Sequence, residues 1–179
     1  DPLMWAYSDE SERGATLLFG LMVVPAHRVV EARRRLRSLL LPGQRRLHTA
    51  KESPARRARL LDLVAELELD TTVYRLTRPA GLSRVEARRL RVARAASDAL
   101  VSGVVSWTLD DQEPIQAGRD RRAIQHALGV AHDSMLYDHR PGHDEPMLWA
   151  VDAIVWAVGT RGHQLDRVRR ITDICDVRP

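Results

Sequence analysis

The stretch Met147-Leu148-Trp149-Ala150-Val151-Asp152-Ala153-Ile154-Val155-Trp156-Ala157-Val158 holds one charged residue, Asp152, among apolar ones. It is too short and too interrupted to cross a bilayer, which takes roughly 20 apolar residues. The pattern predicts a core helix, with Asp144 or Glu145 near its N-cap, Pro146 in its first turn and Gly159 closing it. A carboxylate left without a partner in such a helix is strongly unfavourable. An arginine, a shifted pKa or a metal ion can offset that cost, and each implies a different kind of protein.

Outward from this helix, strands alternate with helices. Leu3 to Tyr7 reads as a strand ending at polar Ser8-Asp9-Glu10, with the turn over Ser11 to Gly14. Ala15 to Val24 reads as a second strand, so the two form a hairpin. Pro25 leads into a helix over His27 to Leu41, stopped by Pro42-Gly43. Arg45 to Ala50 fits a short strand. Ser53 and Pro54 supply the N-cap and N1 residues of a helix through Leu67. Thr71 to Thr77, rich in β-branched residues, reads as a strand. Ser83, with Glu86 three positions later, opens a long helix to Val101. Val104 to Leu109 is a strand ending at Asp110-Asp111, followed by a polar loop over Gln112 to Gly118 and a helix over Arg119 to Leu128. Ser134 to Tyr137 fits a short strand, Asp138 to Glu145 a loop, and Ile171 to Val177 a last strand. An opening hairpin followed by alternating helices and strands predicts an α/β layered fold with a mixed sheet, as one domain over residues 1–179.

Composition limits function less than pattern does. Cys175 is the only cysteine, which excludes a disulfide within the chain and points to a reducing, cytoplasmic setting. The opening Asp1-Pro2, with charges soon after, does not resemble a secretory signal. The formal net charge is +4, and Lys51 is the only lysine among the 28 basic residues. Arginine binds phosphate in a bidentate way, so nucleic acid is the expected partner, although a GC-rich coding sequence gives the same bias. The sequence holds no Walker loop, no Gly-x-Gly-x-x-Gly and no Gly-x-Ser-x-Gly, so ATP hydrolysis, dinucleotide chemistry and serine hydrolysis find no support. No membrane partner is expected, and a homodimer is left open.

Three carboxylates share one logic. Asp9 and Asp110 stand at strand ends, which gather at one edge of a sheet, where α/β folds place their sites. A helix packed across that sheet can bring Asp152 to the same place. Two to four carboxylates suit Mg²⁺ or Mn²⁺, and two such ions can activate a water and stabilise the leaving oxygen of a phosphodiester. Taken singly, Asp9 and Asp110 are better explained as turn residues; the three together favour the site. Glu145 falls on the helix face of Trp149 and Asp152, so it is a candidate further ligand; otherwise it only favours the helix N-terminus.

His48, beside Lys51 and Glu52, is a candidate to orient a phosphate or to transfer a proton; the alternative is a hydrogen-bonded surface histidine. His139 and His143 have a metal-like spacing, but Pro141-Gly142 between them argues against zinc. Among the arginine clusters, Arg88, Arg91 and Arg94 recur near helical spacing and are candidates to follow a phosphate backbone; most of the other clusters read as solvated helix faces.

Three blocks carry a family resemblance. Tyr7-Ser8-Asp9-Glu10-Ser11 resembles the Asp-Glu-Ser opening strand of the family called domain of unknown function 3800. Leu47-His48 to Ser53, followed by Arg56-Arg57, is similar to its histidine block. Glu145-Pro146-Met147-Leu148-Trp149-Ala150-Val151-Asp152-Ala153 is similar to its C-terminal block. The resemblance implies a ribonuclease H-like three-layer fold and a metal-dependent nuclease, with Asp9, Asp110 (or Asp111) and Asp152 as the first-strand, middle-strand and helix carboxylates. The chain departs from the pattern on the helix after the hairpin. A glutamate is expected there and Glu31 is the only acidic residue, leaving Glu10, Glu52 or Glu145 to substitute. Two other readings stand beside the nuclease: a catalytically silent module of the same fold that binds nucleic acid or protein, and a structural protein in which Asp152 pairs with a buried arginine.

Overall fold

Alternation along the first strand sorts its side chains onto two sides, with Tyr7 entering one core layer and Ala6 the other. The computed structural model describes residues 1–160 and 162–179. Strands β1 (Met4–Arg13) and β2 (Thr16–Pro25) form the hairpin, followed by helices α1 (Val29–Arg37) and α2 (Pro54–Glu66). Next come β3 (Thr71–Thr77), α3 (Arg84–Val101), β4 (Val104–Asp110) and α4 (Pro114–Leu128). The chain ends with β5 (Leu136–Arg140), α5 (Pro146–Thr160), the single turn α6 (His163–Asp166) and β6 (Thr172–Asp176). The sheet order is β5-β4-β1-β2-β3-β6. Pairs β1–β2 and β2–β3 are antiparallel, whereas β1–β4, β4–β5 and β3–β6 are parallel. The expected α/β fold with a mixed sheet is therefore present.

Helices α1, α2 and α5 cover one face of the sheet, packing on Tyr7, Leu18, Met22 and Val73. Helices α3 and α4 cover the other, packing on Ala6, Phe19, Leu21 and Trp107. The result is three layers. Local chemistry sets several boundaries where the sequence put them. Ser53 Oγ accepts from the Arg56 N–H with Pro54 at N1, and Ser83 Oγ accepts from the Glu86 N–H.

Other boundaries differ for physical reasons. β1 runs on through Ser8-Asp9-Glu10 to Arg13, because Ser8, Asp9 and Glu10 pair with Leu21, Gly20 and Phe19 of β2; the reversal at Gly14, with φ 61°, falls within the expected Ser11 to Gly14 turn. Arg45 to Ala50 is not a strand but a loop ending in a 3₁₀ turn, Thr49–Lys51, whose backbone is held by side chains of other elements. Pro114 at N1 opens α4 within the stretch expected to be a loop. Polar Asp138-His139-Arg140 belongs to β5, an edge strand whose one neighbour is β4. Gly159 does not close α5 but lies inside its last turn, packed beneath Arg13.

Candidate carboxylate cleft

The last parallel pair between β1 and β4 is Ser8 with Leu109. The next residues along the two strands are Asp9 and Asp110, which therefore leave the sheet side by side. Parity fixes their direction: Ala6 and Leu109 face α3 and α4, so Asp9 and Asp110 face α5. Asp9 is thus inside β1 rather than at its end, but it stands where the parallel pairing stops.

Helix α5 reaches this edge because Gly20, the partner of Asp9 on β2, carries no side chain. A Cβ at Gly20 would stand 2.7 Å from Val151 Cγ1 and 2.9 Å from Val155 Cγ1. From Pro146 to Val158 every residue of α5 is buried except Asp152 and Trp156, one turn apart. These two line a cleft of about 470 Å³ together with Asp9, Asp110, Arg46 and His48. Asp152 is half-buried rather than sealed in the core. Its Oδ2 accepts the Thr49 N–H at 3.0 Å, and among the described residues it forms no ion pair with an arginine. The expectation of a buried Asp152–arginine pair is not met.

Asp9 is 8% exposed. Its carboxyl is pushed well above the usual carboxylate range, by burial first and then by the charges of Asp110 and Asp152; the Glu10 N–H at 2.7 Å and Arg46 work in the opposite direction. Burial also raises Asp110, with Asp152 and Asp111 adding repulsion while Arg46 and the Asp111 N–H offset it. Asp111 is exposed and outside the lining, which favours Asp110 as the residue of the pair that faces Asp9.

The loop before α2 supplies the cationic side. Arg46 lies against Gly142, where a Cβ would collide with its guanidinium. The buried Nδ1 of His48 and Nε of Arg46 have no protein partner among the described residues. Glu52 holds this loop by accepting from Gln44 Nε2 at 2.7 Å and Arg56 Nε at 2.7 Å. Arg57 donates to the Thr49 and Ala50 carbonyls at 2.8 and 2.7 Å and lies 4.9 Å from the Trp156 ring centroid.

Three expectations are corrected. Glu145 is not beside the carboxylates: it is 2% exposed, accepts two bonds from Arg33 at 3.0 and 2.5 Å, and caps α5 through the Met147 N–H at 3.1 Å. Glu10 points to the opposite face, 2.7 Å from Arg88, and Glu52 is tied to Arg56, so none of the three substitutes for the missing helix glutamate. Glu31 is exposed and paired with Arg34. Arg88 and Arg91 do not follow a phosphate backbone, because they are 6% and 1% exposed; Arg88 pairs with Asp120 at 2.8 Å and with Glu10. The His139 side chain is 4% exposed and bonds Asp120 at 2.9 Å through Nε2.

Hard oxygen donors in the cleft suit Mg²⁺ or Mn²⁺ better than softer ions. Among the described residues no three acidic, histidine or cysteine side chains are already gathered as a metal cage. Sequence reasoning missed Arg46, Trp156 and Gly20. For Trp156 a signal existed, its i,i+4 spacing from Asp152; for Arg46 and Gly20 none did.

No protein-family model and no curated protein matches the sequence. Among solved structures, the chain is similar to one in the PCNA:RNase HII complex from Archaeoglobus fulgidus, with a TM-score of 0.60 over 94% of this chain and 77% of that one. The fold is ribonuclease H-like. At 19% identity the likeness carries the architecture and nothing finer. Among the described residues no helix is long and apolar enough to cross a membrane.

Proposed function

We propose that the chain is a divalent-metal-dependent nuclease that hydrolyses phosphodiester bonds in RNA or DNA. One observation carries this reading: Asp9, Asp110 and Asp152, from two strands and a helix, line one cleft, where burial and mutual repulsion push Asp9 and Asp110 upward from the usual aspartate value. Groups whose environment works against their ionisation cluster at functional sites more than elsewhere. The ribonuclease H-like fold and the resemblance to domain of unknown function 3800 support the same reading.

Asp9, Asp110 and Asp152 would hold Mg²⁺ or Mn²⁺, which when bound supplies an activated water and stabilises the leaving oxygen. Arg46, which lines the same cleft and already tempers the Asp9 charge, would bind and orient a phosphate. His48, which also lines the cleft, would hold or pass a proton there. The Thr49 N–H fixes the Asp152 carboxylate. The homodimer left open by the sequence finds no support and is not part of this reading.

Purified protein is expected to cut RNA, DNA or hybrid substrates with Mn²⁺, and Asp9→Asn or Asp152→Asn to abolish cutting. Absence of cleavage across a broad substrate panel would overturn the proposal. The second reading, a silent nucleic-acid-binding module, draws on the commitment of Glu10, Glu52 and Glu145 to arginines. It requires salt-dependent binding that survives both substitutions, with no cleavage by the parent protein.

A further inference from the structure

We propose that Trp156 is a stacking platform for an unpaired nucleobase, so that the cleft takes single-stranded or frayed nucleic acid rather than continuous duplex; this rests on the nucleic-acid part of the function proposed above. Helix α5 buries every residue from Pro146 to Val158 except Asp152 and Trp156. An indole left half-exposed beside a carboxylate forgoes the gain of burial, about 25 cal/mol per Å² of apolar surface. The indole N–H groups of Trp107 and Trp149 bond Ser8 Oγ and the Gly142 carbonyl at 2.8 and 2.5 Å, whereas that of Trp156 bonds nothing among the described residues.

The ring is nonetheless held in place. Arg57 lies over it at 4.9 Å and is itself fixed by two carbonyls of the 3₁₀ turn. The guanidinium adds a positive charge beside a π surface, the pairing used by proteins that bind single strands. Residues at i and i+4 have Cβ atoms about 5–6 Å apart, close to the separation of a phosphate from the base of its own nucleotide. A phosphate at the carboxylates therefore puts its base at Trp156. Within a duplex both faces of each base are already covered by neighbours, so only an unpaired or terminal base can offer a face to the indole.

The test measures binding with Ca²⁺ in place of Mn²⁺, using fluorescein-labelled single strands and blunt hairpins of matched sequence, in both RNA and DNA. Trp156→Ala is expected to weaken single-strand binding about tenfold, within the ~1–3 kcal/mol that stacking contributes per base, while Trp156→Phe keeps most of it and hairpin binding changes less than about twofold. Because Trp156→Ala can disturb folding, wild-type protein is also crosslinked to strands carrying 5-iodouridine, and the adduct is expected at Trp156. Unchanged single-strand binding in Trp156→Ala, equal losses on strands and hairpins, adducts elsewhere, or no single-strand binding by the wild type would each overturn the platform. Cleavage with Mn²⁺ is scored separately. Trp156-dependent binding without cleavage ends the nuclease reading and leaves the platform; cleavage with Trp156-independent binding ends the platform alone.

Discussion

Gly20 lies directly beneath Val151, with room for no side chain between them: a Cβ on Gly20 would be 2.7 Å from Val151 Cγ1. This contact sets the height of α5 above the sheet, and so the distance from Asp152 to Asp9, the strand partner of Gly20. Gly20→Ala is expected to overpack the interface at a cost of about 1–3 kcal/mol. It should also lift α5 and lower Mn²⁺-dependent cleavage by more than its effect on the melting temperature explains. Wild-type cleavage in a Gly20→Ala protein would show that the height of α5 does not matter.

Asp9→Asn is expected to stabilise the protein at neutral pH. The folded protein holds the Asp9 proton to higher pH than the unfolded chain does, so it loses stability as pH rises through that range, and an uncharged amide removes the loss. A gain on the order of 1 kcal/mol raises the melting temperature by about 2–4 °C for a chain of this size. Mn²⁺ should raise the melting temperature of the parent protein and leave that of Asp9→Asn unchanged. A drop in melting temperature on substitution would show that the Asp9 charge stabilises the fold.

On the far face, Arg88 bonds Asp120 through two nitrogens at 2.9 and 2.8 Å, and both are buried. Arg88→Met leaves Asp120 without its guanidinium and is expected to cost about 3–5 kcal/mol. Despite burial, which works the other way, the bonds from Arg88 and His139 lower Asp120 to about 2. The sign follows: its contribution is complete above the ordinary aspartate value and is lost as pH falls toward 2. Denaturation curves should show the parent protein losing stability across that acid range and Arg88→Met losing much less.

Glu145→Gln separates structure from chemistry at the start of α5. The residue anchors Arg33 and caps the helix, and hydrogen bonds to charged groups contribute about 1.5–3 kcal/mol. The expected outcome is a loss of that size in chemical denaturation, with the Mn²⁺ concentration for half-maximal cleavage unchanged. A large shift in Mn²⁺ requirement would return Glu145 to the metal site.

Much of the fold was legible along the chain. The caps at Ser53 and Ser83, the β-branched run of β3 and the apolar length of α5 are properties of contiguous residues, and each appears where the sequence put it. The carboxylates Asp9, Asp110 and Asp152 were readable for a related reason: acidic residues that follow apolar strand runs and one charge in an apolar helix stand out without reference to the rest of the fold. The elements misread were those whose partners are distant. Polar Ser8-Asp9-Glu10 looks like the end of a strand until β2 lies beside it, and Asp138-His139-Arg140 looks like a loop until β4 does.

By itself, the sequence determined the layered fold and the residues that line the edge of its sheet, because hydrophobic alternation and capping act between near neighbours. Only the tertiary structure decided how each charge is used. Arg88 and Arg91 look like a phosphate-tracking row but are buried against Glu10 and Asp120; Glu145 looks like a ligand but is claimed by Arg33, 112 residues away. Ion pairs and close approaches such as Gly20 on Val151 join residues that strand order brings together, and nothing in local periodicity encodes that order.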